Sequence, residues 1–163
     1  MRIIIKNKET LLYDDFTFKC CIGKNGTTNN KIEGDKKTPK GVFFLGPVFY
    51  RKDRIKNLFT KIKKKQIKKS MGWCDDVKNR NYNKLIKITN NIKHEKLFQK
   101  KNNYDLVIPI EYNTKKPQKK RGSAIFIHLT KNYKKTLGCI ALKKNDLLIL
   151  LKLIDRNTKI QIF

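Results

Sequence analysis

The sequence predicts a mainly β fold with one or two short helices, and three observations carry that expectation. Apolar residues make up only 39% of the 163-residue chain, yet they gather in short runs at residues 2–5, 41–50, 106–112 and 124–129. Those runs have strand length and are rich in Ile, Val, Phe and Tyr, whose branched or aromatic side chains pack well on a pleated surface. Only one stretch, Leu147, Leu150, Leu151 and Ile154, shows a convincing apolar stripe at helical spacing. The length fits one domain over residues 1–163, with no internal repeat and no linker.

In chain order, residues 2–5 and 17–22 read as two early strands with a polar turn about Asp14 and Asp15. As strand neighbours, Cys20 and Cys21 put one side chain on each face. Residues 23–40, rich in Gly, Asn, Asp and Lys, form a loop that Thr38 and Pro39 bring in extended form to the next strand. That strand, residues 41–51, is interrupted by a bulge or kink at Gly46 and Pro47. Ile55, Leu58, Phe59 and Ile62 then recur at helical spacing among lysines, so a basic amphipathic helix is one reading of residues 53–69. Residues 71–83 hold the only tryptophan, Trp73, which reads as a core anchor or as a wall for a bound peptide. In a strand the adjacent carboxylates Asp75 and Asp76 face opposite ways, which keeps them from sharing a proton or a metal. Residues 94–98 suggest a short helix docked by Leu97 and Phe98, with His94 on the surface. Residues 104–112 form a further strand, and 113–121 a basic loop. Asn145 and Asp146 offer a cap for the helix of the Leu147 stripe, which ends near Asp155, and Ile160 and Ile162 alternate in a final strand.

The chemistry concentrates between Gly122 and Leu142, which bring one histidine and one cysteine close together. Residues 123–129 run apolar up to His128, as a buried strand does. Polar and basic residues 130–135 turn back through solvent, and residues 136–142 resume an apolar run in which Cys139 starts a second strand. If the two pair as a hairpin, the Cys139 sulfur meets the His128 ring, and a base beside a thiol yields a nucleophilic thiolate. Gly138 lets the backbone approach a substrate, and the amides around Cys139 can point at an oxyanion. A small core cysteine and a strand-end histidine satisfied by a backbone group fit the same spacing.

The stretch resembles the signature of the L,D-transpeptidase catalytic domain, the YkuD-like family: a histidine after an apolar strand, a linker, then Ser or Thr, one residue, Gly and Cys. Here these are His128, Thr136, Gly138 and Cys139. The block from Lys19 to Gly26 and on to Thr38, Pro39, Gly41 and Phe43 resembles the family's first conserved block. Gly72, Trp73, Cys74, Asp75 and Asp76, followed by Tyr82 and Asn83, resemble a bacterial branch that carries Gly-Ser-Ala-Ile-Phe before its histidine. The resemblance spans residues 20–151. It implies sandwich-like mixed β-sheets, Cys139 as nucleophile, His128 as base, Gly138 at the oxyanion, Thr136 supporting the turn, and acyl transfer on peptidoglycan stem peptides with no cofactor. Trp73, Asp75, Asp76, Tyr82 and Asn83 become candidate substrate-binding or supporting residues. Many members carry His before the Gly-Cys pair and Arg two residues after the Cys, where this chain has Leu137 and Ala141. The carboxylate contact expected of that Arg is therefore not carried over.

The formal charge of +27 would ordinarily point to nucleic acid or an anionic surface. The excess is nearly all Lys, inflated together with Asn and Ile as an AT-rich coding sequence would produce, and regular base-stacking aromatics are scarce, which argues against nucleic acid. A non-enzymatic polyanion binder stays as the rival class, and an L,D-carboxypeptidase, in which water resolves the thioester, as the rival within the family. Four cysteines without Cys-x-x-Cys spacing and two histidines argue against a structural zinc site, so no metal is expected. No segment has transmembrane length, and residues 1–10 lack the features of a signal peptide, although the family's substrate places such enzymes in the periplasm or cell envelope. A monomer is expected.

Overall fold

The structure is a computed structural model that describes residues 1–89 and 91–163. Its strands are β1 (Arg2–Ile5), β2 (Thr10–Tyr13), β3 (Phe16–Cys21), β4 (Thr27–Thr28), β5 (Thr38–Pro39), β6 (Gly41–Phe44), β7 (Val48–Tyr50) and β8 (Lys64–Gln66). There follow β9 (Met71–Cys74), β10 (Leu85–Lys87), β11 (His94–Lys96), β12 (Leu106–Pro109), β13 (Phe126–Leu129), β14 (Ile140–Leu142) and β15 (Lys159–Ile162). The helix α1 (Lys144–Leu153) precedes β15, and a single 3-10 turn (Asn102–Tyr104) leads into β12.

Ten strands make one mixed sheet in the order β6-β15-β1-β2-β3-β14-β13-β12-β7-β8. The interruption at Gly46 and Pro47 is a corner in this sheet. Before it β6 pairs with β15, and after it β7 pairs with β12, near the other end of the order. Pro47 has no N–H for a ladder, while the Gly46 N–H donates to Pro109 O at 2.8 Å and Leu45 bridges Ile110. The two ends of the sheet thus approach each other, and the sheet curls around its own core.

The strand period of two sorts side chains onto the two faces. Ile108, Ile127, Leu129, Ile140 and Leu142 join Ile3, Ile5, Leu11, Ile160 and the helix residues Leu147, Leu150 and Leu151 in the main core. Each such aliphatic side chain contributes about 1.5–3 kcal/mol by leaving water. Val107, Phe126 and Cys139 point the other way, into a second cluster with Phe49, Ile67, Trp73, Leu97 and Tyr104. The three-stranded sheet β10-β9-β11 supplies Trp73 to that cluster. Among the described residues the fold is therefore mainly β with one α-helix, as expected.

Several expectations change. Residues 53–69 do not form an amphipathic helix. Arg51 O accepts from Arg54 N and Ile55 N, one turn only, then Asn57 takes a positive φ of 54° and the chain runs out to pair as β8. Ile55, Leu58 and Ile62 still reach the main core, so the apolar spacing served an extended path. Residues 94–96 are a strand and not a helix, because β9 has a free edge for them and pairs Glu95 with Trp73. His94 is half-buried, with Nδ1 at 2.6 Å from Ile92 O. The N-cap of α1 is Lys143 without a side-chain cap, which puts Asp146 inside the first turn, where its charge suits the helix dipole. Strand β2, which pairs with both β1 and β3, adds a third strand to the two expected before residue 22.

Candidate active site

The two segments that carry His128 and Cys139 are neighbours in the sheet but run parallel, so they are not a hairpin. Ile127 pairs with Ile140 and His128 with Ala141, and residues 130–139 cross over between the strands. Alternation places Phe126, His128, Cys139 and Ala141 on the same face. The Phe126 N–H donates to Cys139 Sγ at 3.3 Å, and His128 lies two residues further along, roughly 6.6 Å on. Cys139 Sγ–H donates to Ala124 O at 3.2 Å. His128 Nδ1 lies 2.9 Å from Leu129 O, and a carbonyl only accepts, so Nδ1 carries the proton and Nε2 the lone pair.

Both groups are 8% exposed, and both line one cavity of about 640 Å³. Burial holds the His128 imidazole below its ordinary value of 6.5. The Cys139 thiol is pushed up to about 12, first by burial and then by the nearby Glu95 charge, against the help of the Phe126 amide and Lys31.

The loop before Cys139 is held from two sides. Thr136 Oγ1 accepts from Gly138 N at 3.1 Å and donates to Cys139 O at 2.5 Å. Thr38 Oγ1 donates to Gly138 O at 2.8 Å and accepts from Gly23 N at 2.9 Å. Gly138 has a φ of 138°, and a Cβ there would sit 2.9 Å from Lys37 O, so the close approach of the two loops requires glycine. A Cβ on Gly23 would meet Lys36 O at 2.6 Å. The first sequence block thus clamps the cysteine loop. The Gly138 N–H, taken by Thr136, does not point at an oxyanion.

The family model of the L,D-transpeptidase catalytic domain, YkuD, matches residues 1–162. The chain belongs to this family. No curated protein matches it.

In this L,D-transpeptidase domain Asn83 is a positioning hub rather than a cavity residue. It is 2% exposed, its Oδ1 accepts from Trp73 Nε1 at 2.9 Å and from Ala124 N at 3.0 Å, and its Nδ2 donates to Tyr112 O and Asn113 O. Ala124 is thereby held at a φ of 52° with its carbonyl on the Cys139 sulfur. Trp73 packs edge-on against Phe126 at 5.2 Å between ring centroids and does not line the cavity, which favours the core-anchor reading. Tyr82 is buried and donates its hydroxyl to Glu33. Asp75 and Asp76 lie just beyond the end of β9 and not in a strand as expected; Asp75 lines the cavity, whereas Asp76 does not and accepts from Lys78 N in a turn. Ala141, fully buried between His128 and Cys21, leaves no charged group at the position where many relatives carry Arg.

Sequence reasoning missed Glu33, Glu95 and Tyr104. Glu33 accepts from Ser123 Oγ at 2.7 Å as well as from Tyr82, and Tyr104 donates to Glu95 and packs 5.2 Å from the His128 ring. The available signal was a carboxylate in a chain with only 13 acids against 40 bases, alternating with strand residues. Reading residues 94–98 as a helix hid that alternation. Among the described residues no group of three or more His, Cys, Asp or Glu could hold a metal ion, and no helix is long and apolar enough to cross a membrane.

Proposed function

We propose that the domain, acting as one unit over residues 1–163, transfers acyl groups between peptidoglycan stem peptides through a Cys139 thioester. The observation that carries the reading is a cysteine and a histidine on one wall of one cavity, in a chain of this family. His128 Nε2 takes the thiol proton as Cys139 Sγ attacks the carbonyl at the L-centre of a diaminopimelate residue in the donor stem. The Cys139 backbone amide is the oxyanion donor, since Gly138 is turned to Thr136. The tetrahedral intermediate collapses, the C–N bond breaks, and the terminal D-amino acid leaves with the proton from His128. An acceptor amine then attacks the thioester and frees the sulfur, its lost proton returning through His128. Water in place of the amine makes the same site a carboxypeptidase, and product analysis separates the two. Such a substrate puts the working protein in the cell envelope.

Exposure to a carbapenem tests the reading, because a live thiol opens the β-lactam and gains one acyl group. Mass spectrometry should find a single adduct on Cys139, absent in Cys139→Ala, and both Cys139→Ala and His128→Ala should lose cross-link formation on purified muropeptides while staying folded. Cross-linking retained in Cys139→Ala overturns the proposal.

A further inference from the structure

Among the described residues Lys31 is the one lysine that is buried, at 3% exposed, in a chain whose other lysines stand at least partly in water. Burial strips an ammonium group of its hydration, so it is tolerated only where fixed partners replace the lost water. Lys31 Nζ donates to Ile32 O at 2.9 Å and to Asp35 Oδ1 at 2.5 Å. An ammonium carries three N–H donors, and no protein group among the described residues takes the third. The stem of Lys31 is pressed onto Gly122, where a Cβ would come within 2.7 Å of Lys31 Cγ at a φ of 93°, so the contact requires glycine.

That placement brings the ammonium to the wall that carries the sulfur. Gly122 stands two residues before Ala124, whose carbonyl accepts from Cys139 Sγ at 3.2 Å. Glu33 fastens the same two segments together, its carboxylate accepting from Ser123 Oγ and its N–H donating to Lys120 O at 2.8 Å. Lys31, His128 and Cys139 line one cavity. Of the acids that share it, Glu33 is held by Tyr82 and Ser123, and burial raises the carboxyls of Asp75 and Glu95 toward their neutral forms. Four exposed lysines, Lys36, Lys101, Lys134 and Lys135, line the cavity with no ion pair among the described residues. A ligand therefore meets a cationic opening and, within it, a fixed ammonium with one donor unspent.

We propose that Lys31, braced by Asp35 and Ile32 O, takes a carboxylate of the substrate into the cavity beside Cys139, and so selects stem peptides in which that carboxylate is free over those in which it is an amide. The inference rests on the proposed acyl transfer and names a residue that decides its specificity. Asp35 holds Lys31 in place without using up its charge. Its carboxylate also accepts from Ile32 N and Lys37 N, both at 2.9 Å, so it is shared among three donors. A substrate carboxylate on the remaining N–H makes a charge-assisted hydrogen bond away from bulk water, where such bonds are strongest.

Binding without turnover tests the assignment. The full chain carrying Cys139→Ala is titrated by calorimetry with a synthetic stem peptide ending in diaminopimelate and one D-amino acid. Two further peptides carry a carboxamide in place of either the terminal carboxylate or the free diaminopimelate carboxylate. One of these amides should weaken binding by roughly tenfold, the loss expected of a hydrogen bond between charged groups, and it identifies the carboxylate that Lys31 holds. Adding Lys31→Met should abolish that difference. Asp35→Asn, which removes the competing charge, should instead tighten binding of the free peptide and not of the amide, a gain that damage to the fold does not produce. Equal binding of all three peptides overturns the proposal, and so does an amide penalty that neither variant moves. Because no covalent step enters the titration, absence of cross-linking by the wild type together with the expected discrimination counts against the acyl-transfer reading alone.

Discussion

Replacing Thr38 with Val tests whether the clamp on the cysteine loop holds it by hydrogen bonds. Thr38 is fully buried, and its hydroxyl links Gly23 N at 2.9 Å to Gly138 O at 2.8 Å. Valine keeps the branched shape and the strand preference, so packing is almost unchanged while both hydrogen bonds vanish. A buried backbone group left without a partner costs about 1–3 kcal/mol, so two of them, with some relaxation, should cost about 2–4 kcal/mol. At this chain length the loss corresponds to a fall in Tm of roughly 5–15 °C. Urea unfolding and calorimetry measure it, with Thr28→Val as control. Thr28 Oγ1 accepts only from the exposed Asn30 N, and its loss should stay within about 0.5 kcal/mol. If Thr38→Val matches its control with the same denaturant slope, the hydroxyl is not what holds the loop.

Two further outcomes follow from the same geometry. Gly138→Ala forces a side chain onto Lys37 O at a φ of 138°, and should cost about 1–3 kcal/mol and slow carbapenem capture, whereas an unperturbed variant would show that the loops have room to part. Burial holds His128 below 6.5 in the folded protein, so as pH falls past 6.5 the unfolded chain takes the proton first and stability declines until the folded pKa is passed. His128→Gln should remove that part of the decline in urea titrations between pH 7.5 and 4.5, and an identical slope in both proteins would mean that the ring is not held neutral.

How much was legible in the sequence depends on which interactions are local. Strands such as β1, β6, β12 and β15 announce themselves because their alternation and branched residues lie within the segment. The His128 and Cys139 pairing was legible as proximity but not as direction, since parallel and antiparallel partners carry the same apolar runs and only the crossover of residues 130–139 distinguishes them. Residues 53–69 misled because Ile55, Leu58 and Ile62 follow a helical rhythm that an extended, core-anchored path satisfies equally. Asn83 carried no sign of the four hydrogen bonds it would make, because its partners lie 10 to 41 residues away. Glu95 was hidden for the same reason, its strand existing only as an edge partner of β9.

The place of β15 between β1 and β6 has a bearing on how the molecule is made. Strand β15 lies beside β1 in the finished sheet, although about 150 residues of chain separate them, so residues up to 162 must be made before that edge can close. Until then β1 and β6 each present an unzipped backbone rim, open to mispairing with other nascent copies. The thiol niche is likewise completed late, because Gly138 meets Thr38 at a sequence separation of 100 residues.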